Sequence, residues 1–384
     1  MFLNSPRRKL FITGKPGVGK TTLIEYLYKF LKKNLPSFFY SGFITKEIKE
    51  KGKRTGFKII LLNSKNKEFL LAKVKNLLSK KSVKNYPFIG KYAVFVENLN
   101  NVLELLKKER HRKEKTIFVI DEIGKMECLS SQFCNFVENI LNSETYLIAT
   151  LGKGDFPFLK KVRKYTPAFF CNVTLQNRDF LKDRLTFEFV RKGKLIVIEG
   201  IDGAGKTTLA KALYEALKNK GIKILISHEP TDSYFGKKLK LLLTSQKTSP
   251  KEICEYFLKD RFWHVQNVII PALKDGYFIL LDRYYLSTLA YQGAYGLDLN
   301  SLLIENETIS PLPDLVIYLD VSLDVAFQRI KNRKKEISIF ENSLFLQKVS
   351  EIYKYFLNYF NHIVIDGNLS VEENVIKILE ILKL

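Results

Sequence analysis

The chain has 384 residues, 46% of them hydrophobic, and this length favours two domains over a single hydrophobic core. No run of about 18 apolar residues is present, which excludes a membrane-spanning helix, and we expect no signal peptide. The net charge of +23 is concentrated in the first half, where residues 1–192 hold 39 Lys and Arg against 17 Asp and Glu.

The first predicted elements are a strand, a glycine-rich loop and a helix. The apolar segment KLFIT (residues 9–13) precedes GKPGVGKT (residues 14–21), and apolar residues then recur with the period of a helix. Such a loop directs successive backbone N–H groups at phosphate oxygens, while its lysine reaches the β- and γ-phosphates and its Thr hydroxyl binds Mg²⁺. The sequence therefore predicts a triphosphate site with Lys20 and Thr21.

Two acidic residues follow a later apolar segment of the first half. TIFVID (residues 116–121) predicts a buried strand ending at Asp121, and Glu122 comes next. Asp121 can hold Mg²⁺, and Glu122 can polarise an attacking water, as a hydrolase requires. A further strand is predicted for YLIATL (residues 146–151).

The same order of elements recurs in the second half. KLIVIE (residues 194–199) predicts a strand, GIDGAGKT (residues 200–207) a second phosphate loop with Lys206 and Thr207, and a helical pattern follows. Later strands are predicted for KILISHEP (223–230), YFILLD (277–282), LVIYLD (315–320) and HIVID (362–366). Strands that alternate with helices favour α/β domains with parallel sheets, and RKGK (191–194) is the predicted linker between them.

The second half differs from the first in the residue that follows its acidic strand. Here Arg283, a cation, follows Asp282. A kinase has to suppress water and hold a second anionic substrate at this place. The residues alone thus predict an NTP hydrolase followed by a phosphoryl transferase.

Residues 194–384 resemble thymidylate kinase. The matching segments are EGIDGAGKTT (199–208), EPTD (229–232), YFLKDRFWH (256–264), DRYYLSTLAYQG (282–293) and LPDLVIYLDV (312–321). The resemblance implies transfer of the γ-phosphoryl group of ATP to dTMP, with Mg²⁺ bound by Thr207 and Asp282.

Six positions match residues that bind dTMP in that family: Asp202, Phe257, Arg261, Arg283, Tyr291 and Gln292. The resemblance places the Phe257 ring on thymine and Arg261 at a thymine carbonyl. It places Asp202 at the sugar 3′-hydroxyl and Tyr291 where it crowds the 2′ position. Arg283 would hold the phosphate of dTMP, and Gln292 follows in the same segment.

The second half departs from that family in three places. His228 replaces an arginine before Glu-Pro, Gly203 replaces an arginine of the phosphate loop in one branch, and Ile339 replaces a lid arginine of the other. The remaining lid cations are Arg329, Arg333, Lys334 and Lys335. We expect Arg333 to supply the cation for the transferred group.

Residues 9–180 resemble the thermophile-type nucleoside-triphosphatase family. The matching segments are GKPGVGKTTL (14–23), SGFITKEIKEKGKRTGFKII (41–60), YAVFVENL (92–99), VIDEIGKMECLSSQF (119–133), IAT (148–150) and TLQNRD (174–179). The resemblance implies slow, Mg²⁺-dependent hydrolysis of several NTPs. It implies phosphate contacts for Arg54 and Lys125, and places Asn177 and Arg178 near the base or sugar.

We therefore expect an α/β protein of two P-loop domains, residues 1–190 and 191–384, each a parallel sheet flanked by helices. The predicted nucleotide-binding residues are Gly14, Lys15, Pro16, Gly17, Val18, Gly19, Lys20 and Thr21 in the first loop and Gly200, Ile201, Asp202, Gly203, Ala204, Gly205, Lys206 and Thr207 in the second. The predicted catalytic residues are Lys20, Glu122, Lys206, Asp282, Arg283 and Arg333, and the predicted metal ligands are Thr21, Asp121, Thr207 and Asp282.

Two alternatives remain open. The basic first half could be a nucleotide-dependent module that binds nucleic acid or regulates the kinase, and the second half could phosphorylate another nucleoside monophosphate. Four cysteines without a CxxC pair indicate a reducing cytoplasm. A homodimer is expected from the resemblance to thymidylate kinase.

Overall fold

The computed structural model describes residues 5–63, 67–79, 85–110, 115–165, 167–245, 248–332 and 343–383. These residues form two compact units, one of Arg7–Thr186 and the other of Ser5, Pro6 and the chain from Phe187 onward. The predicted fold class is confirmed, because both units carry parallel strands flanked by helices. The domain boundary at residues 190 and 191 stays a prediction.

The sheet of the first unit has nine strands within the described residues. They are β1 (Lys9–Gly14), β2 (Phe39–Glu50), β3 (Lys53–Leu61), β4 (Glu68–Val74), β5 (Phe88–Ile89), β6 (Tyr92–Val94), β7 (Thr116–Ile123), β8 (Tyr146–Leu151) and β9 (Phe169–Val173). Their order is β5-β6-β4-β3-β2-β7-β8-β1-β9. Strands β2, β7, β8, β1 and β9 run parallel, and an antiparallel extension of β3, β4, β6 and β5, which the sequence analysis did not predict, continues from β2.

The helices of the first unit include the one predicted after the first phosphate loop. They are α1 (Lys20–Asn34), α2 (Val96–Arg110), α3 (Ser131–Leu141), α4 (Pro157–Arg163) and α5 (Arg178–Val190), the last of which crosses the division between the units. Leu23, Leu27 and Leu31 of α1 are buried because they repeat at four-residue spacing and so share one face. The helix predicted after the first loop is therefore confirmed.

The sheet of the second unit is parallel throughout its described strands. These are β10 (Lys194–Glu199), β11 (Ile224–His228), β12 (Phe278–Asp282), β13 (Leu315–Asp320) and β14 (His362–Asp366), in the order β11-β12-β10-β13-β14. The strands predicted in this half are all present. The second phosphate loop follows β10, the central strand, where the direction of strand order reverses and α/β sheets bind ligands.

Helices cover this second sheet. They are α6 (Lys206–Asn219), α7 (Tyr234–Thr244), α8 (Pro250–His264), α9 (Ile270–Lys274), α10 (Tyr285–Ala294), α11 (Leu299–Ile309), α12 (Leu323–Asn332), α13 (Ser343–Leu357) and α14 (Val371–Leu382). A π-helical turn, Val265–Ile269, connects α8 to α9. No helix in the described ranges has both the length and the apolar content that crossing a bilayer demands.

The predicted linker, residues 191–194, is packed within the second unit and is not a free hinge. The Arg191 side chain is buried, and its Nη2 donates to the Leu312 carbonyl at 2.7 Å and to Asp314 Oδ2 at 2.9 Å. A Cβ at Gly193 would lie 2.2 Å from the Tyr277 carbonyl oxygen. The polar composition of this segment gave no indication of these contacts with residues far away in the chain.

Candidate active sites

The first phosphate loop connects β1 to α1. Gly19 precedes α1 with a φ of 102°, a left-handed conformation that favours glycine. The Lys20 ammonium donates to the carbonyl oxygens of Gly14 and Lys15, both at 3.3 Å, so it lies over the loop. The first turn of α1 holds no acidic residue, and its free N–H groups therefore suit an anion.

Asp121 is buried near the carboxyl end of β7. Its Oδ1 accepts a hydrogen bond from Thr150 Oγ1 at 2.5 Å, whereas Oδ2 is buried and makes no hydrogen bond within the described part of the chain. Burial raises the pKa of Asp121, and the hydroxyls of Thr150 and Thr21 oppose that rise. A carboxylate oxygen without a partner, close to a Thr hydroxyl, is a donor set that suits Mg²⁺.

Glu122 lies beside the loop lysine. Its Oε2 is 4.0 Å from Lys20 Nζ. A Cβ at Gly124 or Gly152 would approach Glu122 Oε1 to 2.7 or 2.5 Å, so these two glycines make the space that the carboxylate occupies. Burial raises the pKa of Glu122 against the opposing charge of Lys20, and a raised pKa improves a carboxylate as a general base at neutral pH.

These groups line one cleft of about 780 Å³. The loop residues that line it are Gly14, Pro16, Gly17, Gly19, Lys20 and Thr21. Asp121 and Glu122 line the same cleft. Of the predicted loop residues, Lys15 is exposed and Val18 is buried, and neither is a lining residue.

The two predicted phosphate neighbours, Arg54 and Lys125, also line the cleft. Arg54 is fixed on β3, because its Nε donates to Tyr92 Oη at 3.0 Å and its Nη1 to Glu47 Oε1 at 2.6 Å. The Lys125 stem lies against Gly154, where a Cβ would come within 2.3 Å of Lys125 Cε. Both cations therefore line the cleft that the first loop also lines, and their contacts with phosphate stay a prediction.

Asn177 and Arg178 are not among the residues that line the cleft. The Asn177 amide is used in the turn before α5, where it accepts from the Thr174 N–H at 2.8 Å and donates to the Asn172 carbonyl at 2.9 Å. Arg178 approaches the loop, since its Cδ lies 3.9 Å from where a Cβ on Gly19 would be. A role for either residue at the base or sugar stays a prediction.

The second phosphate loop repeats the geometry of the first. Gly205 precedes α6 with a φ of 100°, and the first turn of α6 holds no acidic residue. Lys206 Nζ donates to the Ile201 carbonyl oxygen at 2.7 Å. Burial, together with the charge of Arg283, lowers the pKa of Lys206 to about 8. A bound phosphate would offset this loss of hydration.

Thr207 and Asp282, the predicted metal ligands of the second unit, are in direct contact. Thr207 Oγ1 donates to Asp282 Oδ2, while Oδ1 of Asp282 is buried and makes no hydrogen bond within the described ranges. As at Asp121, the oxygen donors fit Mg²⁺.

A cavity of about 240 Å³ brings together five of the six residues predicted to bind dTMP: Asp202, Phe257, Arg261, Arg283 and Tyr291. Arg283 has a φ of 70° and bonds to the Asp202 carboxylate. Tyr291 Oη donates to Asp202 Oδ2 at 2.9 Å and accepts from the Asp202 N–H at 2.9 Å. The cavity therefore has an aromatic side and a charged side.

Gln292, the sixth residue, lies elsewhere. Its side chain is fully buried and does not line the cavity, and neither amide atom has a hydrogen-bond partner among the described residues. His228, which replaces the family arginine, is exposed, and its Nδ1 contacts the Pro230 carbonyl at 2.8 Å. A dTMP contact by Gln292 stays a prediction.

Glu229 is a cavity residue that the sequence analysis did not select. Its Oε2 accepts from Arg261 Nε at 2.9 Å and Nη2 at 2.6 Å, and its Oε1 contacts His264 Nδ1 at 3.0 Å. Burial raises the pKa of Glu229, but Arg261 and His264 together hold it below its usual value. Arg261 Nη1 also donates to Asn306, so the guanidinium is held firmly at the cavity wall.

Glu199, the last residue before the second loop, organises the other wall. This buried carboxylate accepts from the Tyr284 N–H at 2.9 Å, from Ser287 Oγ at 2.7 Å and from Tyr353 Oη at 3.0 Å. Arg283 Nη1 in turn donates to Ser287 Oγ at 3.2 Å. The network joins the loop, the start of α10 and α13. The sequence analysis included Glu199 only as the first residue of the EGIDGAGKTT segment and did not predict this network.

A third cavity, of about 300 Å³, opens beside the same loop. Its lining includes Ala204, Gly205, Thr208, Arg329, Asn332, Gly367 and Asn374. Arg329 bridges two segments, since it donates to the Ala204 carbonyl at 3.2 Å and the Gly367 carbonyl at 2.9 Å. The sequence analysis named Arg329 only as a lid cation.

Gly203 has no room for a side chain. Its φ is 83°, and a Cβ there would lie 2.4 Å from the Ala326 carbonyl oxygen. An arginine at this loop position would therefore require a shift of α12. Arg333, which is predicted to supply the cation instead, lies outside the described residues, and so do Lys334, Lys335 and Ile339.

Comparison with known proteins finds two families. The thymidylate kinase family model matches residues 198–378, and the NTPase family model matches residues 9–186. A probable thymidylate kinase of Archaeoglobus fulgidus is 47% identical over 159 residues, 41% of this chain and 80% of that protein. The thymidylate kinase of Brachyspira hyodysenteriae is 40% identical over 173 residues, 45% of this chain and 85% of that protein. The thymidylate kinase of Desulfotalea psychrophila is 44% identical over 163 residues, 42% of this chain and 80% of that protein.

Proposed function

Because the second half of the chain belongs to the thymidylate kinase family, we propose that it transfers the γ-phosphoryl group of ATP to dTMP and forms dTDP. The observation that carries this proposal is the cavity beside the second loop. There Asp202, Arg283 and Tyr291 are joined by hydrogen bonds, and Phe257 lines the same space. An aromatic face for a base, a carboxylate for a sugar hydroxyl and an arginine for a phosphate suit a deoxynucleoside monophosphate.

The choice of thymine and deoxyribose is proposed to rest on residues that are already fixed. Arg261 is held by Glu229 and Asn306, so it can present a remaining N–H to a base carbonyl without losing much side-chain entropy. The Tyr291 hydroxyl is tied to Asp202, so its ring cannot move away from a ribose 2′-hydroxyl. A panel of nucleoside monophosphates tests this choice, since preference for UMP, CMP or AMP over dTMP would contradict it.

ATP is proposed to bind with its phosphates in the loop of residues 200–207 and its nucleoside in the cavity next to Gly205 and Thr208. Thr207 and Asp282 would hold Mg²⁺, which when bound neutralises phosphate charge. Lys206 contributes positive charge at the β- and γ-phosphates, and Arg283 holds the acceptor phosphate for in-line attack.

Arg333 is proposed to supply the cation at the transferred group, since the loop position Gly203 cannot accommodate one. We expect Arg333→Ala to lower kcat by orders of magnitude. Lys331→Ala, which removes an exposed charge of α12, is the matched control. A fall of less than about threefold for Arg333→Ala would reject the role.

For the first half, we propose hydrolysis of nucleoside triphosphates to diphosphate and phosphate. Glu122 carries this proposal, because its carboxylate lies 4.0 Å from Lys20 Nζ in the cleft that the loop lines. Glu122 would orient a water and accept its proton, while Lys20 neutralises the triphosphate. Thr21 and Asp121 would hold Mg²⁺.

Two substitutions separate the proposed activities. In the full chain, Lys20→Ala should abolish phosphate release and leave dTDP formation, and Lys206→Ala should do the reverse. Phosphate release and dTDP are measured on each variant at equal protein concentration. If Lys20→Ala leaves phosphate release intact, the first half is not the hydrolase, and if Lys206→Ala leaves dTDP formation intact, the second half is not the kinase.

The basic composition of the first half favours a second candidate, a module that binds nucleic acid or regulates the kinase. Residues 1–192 hold 39 Lys and Arg against 17 Asp and Glu. Nucleic-acid retention by the full chain that survives about 0.2 M salt would support it, because weak polycation binding falls steeply in that range. A homodimer stays a prediction, and so does a cytoplasmic location, with which four cysteines free of disulfides are consistent.

A further inference from the structure

Two of the four cysteines lie side by side at the start of α3. Cys128 belongs to a short helical turn, Glu127–Leu129, that comes just before this helix, and Cys134 lies near the beginning of the helix itself. The Cys134 Sγ contacts the Cys128 carbonyl oxygen at 3.8 Å, and the two thiols also hydrogen-bond to each other. Two thiols in contact are the arrangement from which a disulfide can form.

The backbone that carries the two cysteines is held in place by its own hydrogen bonds. The Cys128 N–H donates to the Gly124 carbonyl at 3.0 Å, and the Cys134 N–H donates to the Ser130 carbonyl at 3.1 Å. The Ser130 hydroxyl caps α3, because it accepts from the Phe133 N–H at 3.0 Å. The residues that a bond between the cysteines would enclose are therefore already ordered, so little conformational entropy is lost when that bond closes.

The two thiols differ in acidity. The hydrogen bond with Cys128 lowers the pKa of Cys134, and the position of Cys134 near the N-terminus of α3 acts in the same direction. Burial and the charge of Glu138 oppose this fall without cancelling it. The hydrogen bond raises the pKa of Cys128, and burial and the charge of Glu127 add to the rise. Because the thiolate is the nucleophile, Cys134 is the member of the pair that attacks first.

The other two cysteines are poorly placed for the same chemistry. Cys171 of β9 and Cys254 of α8 are 1% and 5% exposed, whereas Cys128 and Cys134 are only half-buried. Burial also raises the pKa of Cys254 to about 11. Among the described residues, no three His, Cys, Asp or Glu side chains are grouped so that they could hold a metal ion, so the pair lacks the further ligands that zinc requires. An accessible, acidic thiol beside a second thiol suits redox chemistry instead.

The cysteine pair is connected to the first cleft through Glu127. This glutamate is buried, precedes Cys128 in the same turn and lines the cleft together with Glu122. A Cβ at Gly124 would lie 2.8 Å from Glu127 Oε2 and 2.7 Å from Glu122 Oε1, so the two carboxylates border the same small space. A shift of this turn would therefore move a side chain that lies next to the proposed general base.

We propose that Cys134 and Cys128 form a redox site that hydrogen peroxide converts to a disulfide, and that closure of this bond slows the proposed hydrolysis. The Cys134 thiolate attacks one peroxide oxygen, so an S–O bond forms as the O–O bond breaks, and the leaving hydroxide takes up a proton and becomes water. The Cys128 sulfur then attacks the sulfur of the sulfenic acid. The S–S bond forms as the S–O bond breaks, and the hydroxide leaves with the Cys128 proton as a second water. Two thiols are thus oxidised by two electrons, and the peroxide is reduced.

The effect on the cleft follows from the geometry of the new bond. A disulfide holds its two sulfurs closer together than hydrogen-bonded thiols lie, so closing it draws the turn of Glu127 and α3 toward each other. A misplacement of about 1 Å at a group that supports the reacting atoms can lower a rate about 100-fold. Only this effect on the rate rests on the proposed hydrolysis, and formation of the disulfide does not.

Mapping of the disulfide tests the redox site. The folded full chain is treated with hydrogen peroxide, its remaining thiols are alkylated after denaturation, and trypsin then leaves Cys128 and Cys134 on one peptide, residues 126–153. We expect this peptide to lose two hydrogen atoms and escape alkylation, whereas Cys171 and Cys254 are alkylated. Dithiothreitol should restore both thiols. Absence of the disulfide, or equal oxidation of Cys171 or Cys254, would overturn the proposal.

Two serine variants assign the roles of the two thiols. Cys128→Ser should leave a sulfenic acid on Cys134 that dimedone captures, because no neighbouring thiol remains to resolve it. Cys134→Ser should leave Cys128 reduced under the same treatment. Capture by dimedone at Cys128 and not at Cys134 would contradict the assigned order of attack. The map of the wild type decides whether the disulfide forms, even if a variant fails to fold.

Phosphate release tests the effect on the cleft. It is measured in the Lys206→Ala background, where the second unit contributes none, before and after peroxide. We expect oxidation to lower the rate about tenfold or more and dithiothreitol to restore it. An unchanged rate in protein that carries the disulfide, or an equal loss after Cys134→Ser is added, would overturn the link to the cleft. Reduced protein that releases no phosphate would overturn the hydrolysis and its slowing together, whereas the disulfide map decides the redox site independently.

Discussion

The buried pair of Arg261 and Glu229 allows a quantitative prediction about the second unit. The exposed fractions of their side chains are 1% and 3%, and two nitrogens of Arg261 bond one carboxylate oxygen of Glu229. Arg261→Met keeps the aliphatic stem and removes the guanidinium. Glu229 then retains its contact with His264 on the other oxygen but loses the guanidinium that balances most of its buried charge.

The expected cost follows from that burial. Removing one partner of a buried ion pair destabilises a protein by about 3–5 kcal/mol. For a unit of this size, each kcal/mol lowers Tm by about 2–4 °C, so we expect a fall of about 6–20 °C. Arg261 lines the cavity proposed to bind dTMP, so KM for dTMP should rise as well.

The pH dependence gives the prediction a sign. In the wild type the folded-state pKa of Glu229 lies below its usual value, so its contribution is present above the unfolded pKa and is lost as pH falls through the folded one. Without Arg261, burial raises the pKa of Glu229 in the folded state. Above that pKa the buried carboxylate is charged and destabilises the fold, and below it protonation removes this cost. The difference in Tm between wild type and variant should therefore be smaller at about pH 5.5 than at about pH 8.

Differential scanning calorimetry of the full chain measures both effects. The transition of the second unit is identified in the wild type as the one that dTMP shifts upward. Arg261→Met combined with Glu229→Gln is the matched control, because it removes both charges and should regain stability over the single variant. A loss below about 1 kcal/mol, an equal loss at both pH values, or no gain in the double variant would refute the reasoning.

Three further substitutions probe the two sites. Glu122→Gln should lower phosphate release about 100-fold or more while equilibrium NTP binding persists, and a fall below about tenfold would argue against a general base. Gly203→Ala should lower the free energy of unfolding by at least about 2 kcal/mol. The alanine would have to adopt a left-handed φ, and its Cβ would lie 2.4 Å from the Ala326 carbonyl oxygen. Gly221→Ala is its control, with a φ of 75° and open space, and equal costs would deny the contact a role. Glu199→Gln should lower kcat/KM for dTMP about tenfold or more, since Glu199 holds the start of α10, and steady-state kinetics that match the wild type would rule this out.

Much of this protein is determined locally and can be read from the sequence. Strands such as KLFIT and KLIVIE are short apolar runs, and the loops after them need glycines because Gly19 and Gly205 adopt a positive φ. Asp121 and Asp282 each come directly after an apolar run, so the position of each proposed metal-binding carboxylate is set by its neighbours in the chain. The sequence therefore shows, before any tertiary contact is known, that each phosphate loop is accompanied by an aspartate. It also shows that a glutamate follows that aspartate in the first half and an arginine in the second.

What only the tertiary structure decided depends on contacts between residues far apart in the chain. Glu199 meets Tyr353, 154 residues later, because α13 packs against α10, the helix whose start Glu199 also holds. Gln292 follows Tyr291 in the sequence, yet one helical step turns it out of the cavity and into the core. The first cleft reaches Arg54 and Leu71 because β3 and β4 extend the sheet beyond β2. The periodicity of apolar residues predicts which face of a helix or strand is buried, but not which other element covers that face. The covering element is determined by the order of strands and helices in the tertiary structure.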